Sequence, residues 1–154
     1  MSFNYEEILN LGLMGILEKI KKADIDSETH IFACDAEIVV GAVRDFALRY
    51  ASAAREKGFN QMADALEVVP YKPAYDFYSA LQSIWIIHMI ASCYVGSRDY
   101  AFGRFDSYML PFYLDAVKNG MTEAEAVELL ADFKIILRVR KQMKKITKNL
   151  PVFR

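Results

Sequence analysis

Tyr75-Asp76-Phe77-Tyr78-Ser79-Ala80-Leu81-Gln82-Ser83-Ile84-Trp85-Ile86-Ile87-His88-Met89-Ile90-Ala91-Ser92-Cys93 is the stretch that decides what kind of chain this is. From Tyr75 to about Cys93 its spacing predicts one helix that is apolar on nearly every side. Such a helix has to be covered over most of its surface. Phe77, Leu81, Ile84 and Trp85 are therefore expected in the core, together with Leu129 from further along, and Trp85 should be enclosed or nearly so. The longest apolar run, Ile84 to Ala91 with His88 inside it, falls far short of the roughly 20 residues that span a bilayer.

Helical signals flank this segment on both sides. Asn4 with Glu7 reads as a capping pair, and Ile8, Leu9, Leu13, Ile16, Leu17 and Ile20 then form one apolar stripe at helical spacing. Asp26-Ser27 opens a much longer helix that Gly58 ends, with Ile31, Cys34, Ile38, Phe46 and Tyr50 as its inward stripe. A short helix over Asn60–Val69 stops at Pro70, and Pro70 and Pro73 bracket a rigid turn. Gly96 to Gly103 does not read as helix, and Tyr100-Ala101-Phe102 is a candidate short strand. Ser107–Asn119 is helical despite Pro111, and Asn119-Gly120 is a left-handed stop. Thr122 with Glu125 caps a sixth helix that carries Ala126, Leu129, Leu130, Phe133 and Ile136-Leu137 inward. The expected fold is mainly α, with about six helices and at most one short strand.

The chain has 154 residues, enough for one domain with a real core. Its 54% hydrophobic and 13% aromatic content is high, while 19 basic and 20 acidic residues leave a formal charge of -1. That balance points to neither nucleic acid nor a membrane surface. An apolar excess implies surface that another chain, or further chain, covers. The start carries no basic flank and apolar run of the signal-peptide kind, and two cysteines, Cys34 and Cys93, read as free buried thiols of a reducing compartment. The expected location is the cytoplasm.

Few residues carry chemistry. His88 sits on an apolar helix and reads as a core histidine bonded to a backbone or hydroxyl group. His30 is the other histidine, and no spacing joins the two into a metal-ligand set. Asp35 and Glu37, two apart on a helix, face different ways and form no carboxylate pair. Residues 138–154 form a basic tail, with Arg138, Arg140, Lys141, Lys144, Lys145 and Lys148 and no acid after Asp132. Aromatics do not interleave with those charges until Phe153, so a solvated helix end is favoured over a nucleic-acid footprint.

Several short motifs, in order, match one family. Ala80-Leu81-Gln82-Ser83-Ile84-Trp85-Ile86-Ile87-His88 resembles the A-L-Q-x-x-W-x-x-H helix of glycyl radical enzymes, the family of pyruvate formate-lyase, choline trimethylamine-lyase and glycerol dehydratase. Gly103-Arg104-Phe105-Asp106-Ser107-Tyr108 is similar to its G-R-[FL]-D-Q-Y, and Pro111-Phe112-Tyr113 to its P-Y-Y. Asn119-Gly120-Met121-Thr122-Glu123-Ala124-Glu125-Ala126 resembles G-x-[LI]-T-E-E-E-A. Upstream, Asn4-Tyr5-Glu6-Glu7-Ile8-Leu9 and Gly12-Leu13-Met14-Gly15-Ile16 match [DN]-Y-x-x-[VL]-L and G-L-x-G-I. Phe46-Ala47-Leu48-Arg49-Tyr50-Ala51 resembles F-A-x-R-Y-A, and Val69-Pro70 with Pro73-Ala74 resembles V-P-x-x-P-[AP]. The resemblance covers about residues 4–139 and implies a single partial pyruvate formate-lyase-like domain over 1–154, the outer helical part of a barrel enzyme.

That resemblance also implies what the parent chemistry requires. The family uses a glycyl radical in an R-V-[SA]-G-Y setting, installed by a separate radical S-adenosylmethionine activase, and a cysteine that relays it to substrate as a thiyl. Arg138-Val139 is followed here by Arg140, and neither Cys34 nor Cys93 has the family's Cys-Cys or Cys-x-Glu context. No catalytic residue and no bound cofactor is therefore expected on this chain. Relatives of the dehydratase type also carry a Gly-His pair just before the [DN]-Y helix, whereas here the chain begins with Met1. By carry-over, Arg98, Asp99 and Ala101 occupy substrate-pocket positions, although Gly96-Ser97-Arg98-Asp99 replaces the Asn-Gly-His-Ser of many relatives. Trp85, His88, Arg104 and Asp106 are structural motif residues, the last two as an ion pair bracing a turn.

The sequence supports two functional readings. One is a fragment or truncated member of a radical lyase or acyltransferase, inactive alone. The other is a stand-alone helical protein-binding module descended from it. The expected partners are a second copy or the remainder of the parent enzyme, because the 75–93 helix and the Tyr100–Phe102 stretch would otherwise lie bare. Membrane and nucleic-acid partners are disfavoured.

Overall fold

A computed structural model of the chain describes residues 3–23, 26–93 and 101–134. Five helices have defined bounds: α1 (Tyr5–Lys22), α2 (Ser27–Glu56), α3 (Asn60–Val68), α4 (Phe77–Cys93) and α5 (Phe105–Lys118). Residues 123–134 form α6. Among the described residues there is no strand, and Ala101 makes a single β-bridge in place of the expected short strand. The chain divides into two compact units, Met1–Ala116 and Val117–Arg154.

α1 is broken in the middle. Gly12 has φ 66° inside it, so the expected single stripe is split into two short helices. A regular helix would send the Leu13 N–H to the Leu9 carbonyl. Here Leu13 and Met14 donate instead to the carbonyls of Pro70 and Tyr71, both at 2.9 Å, and the freed Leu9 carbonyl accepts from the Ala74 N–H at 2.9 Å. The Pro70–Ala74 turn, with a cis Val69–Pro70 bond, thus takes up the hydrogen bonds that the break releases. The bend also brings Lys19 within 2.8 Å of Glu7. In a straight helix those residues would be separated by roughly 18 Å of rise.

α2 faces inward with small residues. Ala33, Val43, Ala47, Ala51 and Ala54 are buried, whereas the expected stripe is largely outside: Ile31 and Ile38 are 62% and 70% exposed, and Cys34 is exposed. Two apolar faces share this helix, and periodicity does not say which one packs. The alanine face wins because it lets neighbouring backbones approach closely. Arg55 reaches from α2 to Asp64 (2.8 Å) and Glu67 (2.6 Å) on α3, and Arg44 lies over the Tyr71 ring at 4.5 Å.

Asp26 caps α2, accepting from the Thr29 N–H at 2.8 Å while Thr29 Oγ1 accepts from the Asp26 N–H at 3.1 Å. The Thr29 backbone N–H, then its hydroxyl, hold the Asp26 carboxyl below its ordinary 3.8. A depressed carboxyl stabilises the fold above its unfolded value, and that contribution disappears as pH falls through the lowered one. Helicity should therefore decline on acidification below pH 3.8. Asp26→Asn, an uncharged cap of similar strength, should flatten that arm in a circular-dichroism pH titration. An unchanged acid arm would show that the cap does not report there.

α4 is covered within the chain. Phe77, Ala80, Leu81, Ile84, Ile86 and Ile87 are all buried, so the face expected to lie bare does not. Asp76 caps it, its Oδ1 accepting from the Ser79 N–H at 2.6 Å and its own N–H donating to Ser79 Oγ at 3.0 Å. Trp85 is half-buried rather than enclosed. It packs beside Ala51, Leu66, Ile86 and Met89 but shares the less covered side of α4 with Tyr78 and Gln82. α5 begins two residues earlier than expected.

In the second unit, Gly120 has φ 101°. Thr122 and Glu125 form the expected box: the Thr122 N–H donates to Glu125 Oε2 at 2.7 Å and the Glu125 N–H to Thr122 Oγ1 at 3.3 Å. Leu129 is half-buried, not buried. Ile136, Leu137 and the basic tail lie outside the described residues.

Candidate functional site

The segment leading into α5 is the place where the resemblance puts substrate. Arg98 and Asp99 lie outside the described residues, and Ala101 is exposed. Immediately after Ala101 the chain is tightly held. The Phe102 ring lies 4.6 Å from the His88 ring and 6.0 Å from that of Tyr5. Its carbonyl accepts from the Tyr108 hydroxyl at 2.9 Å. Gly103, at φ 63°, turns the chain, and the Arg104 carbonyl accepts from the Ser107 and Tyr108 N–H groups to start α5.

This aromatic clamp draws on three helices: Tyr5 opens α1, His88 comes from α4, and Phe105 and Tyr108 belong to α5. Tyr5 and Tyr108 lie 5.7 Å apart, as do Phe105 and Tyr108. Burial, and then the neighbouring Tyr5 phenol, push the Tyr108 phenol well above its ordinary value. It stays protonated and keeps donating to the Phe102 carbonyl. His88 is half-buried with its ring against Phe102, and its carbonyl accepts from the Ser92 hydroxyl.

Arg104 and Asp106 do meet, at 3.4 and 3.5 Å, but their side chains are 82% and 76% exposed. The Arg104 hydrogen bond is the largest influence holding the Asp106 carboxyl below its ordinary range. A pair so open to water contributes little to stability; Gly103 and the Tyr108 hydroxyl hold the turn more firmly. Trp85 belongs to a different cluster, with Ala51 and Leu66. The fold therefore gathers His88, Arg104 and Asp106 around one turn and leaves Trp85 apart. Sequence reasoning gives no role to Tyr5, Phe102 and Tyr108, although Tyr5 and Tyr108 stand inside the quoted motifs, which is the signal that could have found them.

Among the described residues no three His, Cys, Asp or Glu side chains gather to hold a metal, and no helix is long and apolar enough to cross a membrane. A shallow, open depression of about 450 Å³ lies between α2 and α3, lined by Leu48, Ala51, Ser52, Arg55, Glu56 and Glu67. It is remote in sequence from the clamp, and its arginine is taken up by Asp64 and Glu67. The clamp itself holds no nucleophile or general-base pair. Its capacity is to fix the backbone at Phe102.

A kinked helix braced by a proline turn and an aromatic clamp around Phe102 are the features that this region of the fold presents. Residues 1–150 match the family described as pyruvate formate lyase-like, and the chain belongs to that family of glycyl radical enzymes. It is 26% identical over 153 residues to the protein named probable dehydratase YbiW of Escherichia coli K12, covering 84% of this chain and 19% of that one. Against an isethionate sulfite-lyase of Desulfovibrio desulfuricans it is 32% identical over 149 residues, 82% of this chain and 18% of the other. A glycyl radical enzyme structure from Archaeoglobus fulgidus shares the fold, with TM-score 0.74 and 24% identity over 85% of this chain and 19% of that one. The chain thus spans about a fifth of the length of the curated relatives it matches.

Proposed function

We propose that this chain is the opening helical portion of a radical lyase, serving as a scaffold for a substrate pocket whose catalytic glycine and thiyl cysteine lie outside residues 1–154. The observation that carries this reading is the lopsided match: 84% of the chain against 19% of a relative's length. The radical glycine does not fit anywhere here, since Arg138-Val139 runs on into Arg140, so no catalytic step is assigned to this chain. Its own contribution is geometric. The Phe102–Tyr108–His88 clamp holds the backbone just after Ala101, which with Arg98 and Asp99 is proposed to face substrate. Relatives named as a dehydratase and a sulfite-lyase favour C–X bond cleavage over acyl transfer for the parent reaction. The partner required is the remainder of the enzyme, with a separate radical S-adenosylmethionine activase acting on it, in the cytoplasm.

The test is direct. Incubated anoxically with such an activase and S-adenosylmethionine, the isolated chain should give no glycyl-radical signal by electron paramagnetic resonance and no lyase activity. A glycyl doublet on this chain would overturn the assignment. A second reading, a protein-binding module, draws support from the exposed apolar face of α2.

A further inference from the structure

α4 carries one polar side chain whose hydrogen bonding the fold leaves incomplete. Tyr78, Gln82 and Trp85 stand at i, i+4 and i+7 and share the less covered side of the helix. One end of the Gln82 amide is used: its N–H donates to the Tyr78 hydroxyl and opposes the burial that raises that phenol. The other end is not. Gln82 Oε1 is shut off from water, and among the described residues no donor meets it. Ser79, one turn earlier, cannot serve, because its hydroxyl donates its single proton to the Asp76 carbonyl at 3.0 Å. Exchanging the amide oxygen and nitrogen changes nothing, since the dry end would then be an N–H without an acceptor. A buried polar group with no partner costs more than a typical hydrogen bond contributes, and folded proteins satisfy nearly all of theirs.

We propose that Gln82 is the docking key for the remainder of the enzyme: a segment outside residues 1–154 lies along Tyr78 and Trp85 and presents one neutral hydrogen-bond donor to Gln82 Oε1. The occupant follows from length, since 84% of this chain accounts for only 19% of a relative. Its chemistry follows from the strip. Tyr78 and Trp85 are half-buried rings that offer apolar area with a polar tip, and the one unmet requirement between them is a donor. A lysine or arginine does not suit the place, because a buried cation would find a single neutral carbonyl as its partner. A backbone N–H, a hydroxyl or a side-chain amide does. The inference takes its occupant from the radical-lyase reading but uses no step of the radical chemistry.

Paired thermal melts test it. In the isolated chain Gln82→Met, which keeps the side chain's length and removes the unmet oxygen, should raise the melting temperature by about 2–6 °C at every protein concentration. The second arm carries this chain within the isethionate sulfite-lyase of Desulfovibrio desulfuricans, in place of the 149 residues it matches. There the same substitution should lower the melting temperature, because a donor loses its partner. A lower melting temperature for Gln82→Met in the isolated chain overturns the proposal, whether or not the hybrid folds, since the oxygen would then be met within the chain. A rise in the hybrid also overturns it, because the oxygen would stay unmet in the whole enzyme. So does a Gln82→Met effect in the isolated chain that depends on protein concentration, which would make a second copy the donor. All of these are readings of stability, so the proposal can fail while the electron paramagnetic resonance result stands.

Discussion

Gly12→Ala should be the most damaging small substitution in the chain, costing roughly 2–5 kcal/mol. Two effects add. Gly12 holds φ 66°, a left-handed conformation that costs an L-residue about 1–2 kcal/mol. A Cβ there would also sit 2.4 Å from the Lys72 carbonyl carbon and 2.5 Å from the Tyr71 oxygen, backbone atoms that cannot swing aside, and such overpacking costs about 1–3 kcal/mol. Relief would require parting α1 from the Pro70–Ala74 turn and losing the three hydrogen bonds that join them. Against a total stability of about 5–15 kcal/mol this is a large share. Gly41→Ala is the control: it lies within α2, with no atom within 4 Å of the added carbon, and should stabilise by about 0.5–1 kcal/mol. Denaturant melts of the two variants decide. If Gly12→Ala melts with the wild type, the kink is not rigid in solution.

Phe77→Ala should cost about 3–5 kcal/mol, more than Trp85→Ala despite the smaller side chain. Phe77 is 2% exposed at the start of α4 and meets the Tyr113 ring of α5 at 6.1 Å. Its removal leaves a cavity where two helices join. Trp85 already has one side in water, so its truncation should cost about 2 kcal/mol, below the range for enclosed indoles. As the single tryptophan, it also reports on itself, and its native emission maximum should fall between those of enclosed and fully hydrated indole. A maximum at the enclosed extreme, or a Trp85→Ala loss exceeding that of Phe77→Ala, would reverse this order.

The candidate site was legible only in part. Gly103-Arg104-Phe105-Asp106-Ser107-Tyr108 marks the turn in sequence, and charge draws the eye to Arg104 and Asp106. Their contact is solvated and weak, however, and the turn is held by residues without charge. Phe102 is held by Tyr5, His88 and Tyr108, which come from three helices. No local spacing joins positions 5, 88 and 108.

Local chemistry in the sequence determined the helices themselves. Asn4, Asp26 and Thr122 cap them, Gly58 and Gly120 end them, and each signal acts within four residues of its own backbone. The apolar run at Phe77–Cys93 likewise required cover by its composition alone. Which faces meet was left to tertiary structure. α2 offers a bulky face and an alanine face at the same period, and only packing against its neighbours selects the second. The break in α1 is the other case. A glycine in an apolar stripe is compatible with an unbroken helix until the Pro70 and Tyr71 carbonyls arrive from some sixty residues away and take its hydrogen bonds. Helix formation is decided between near neighbours in the chain, whereas the choice of face and the site of a kink depend on partners that only the folded chain brings near.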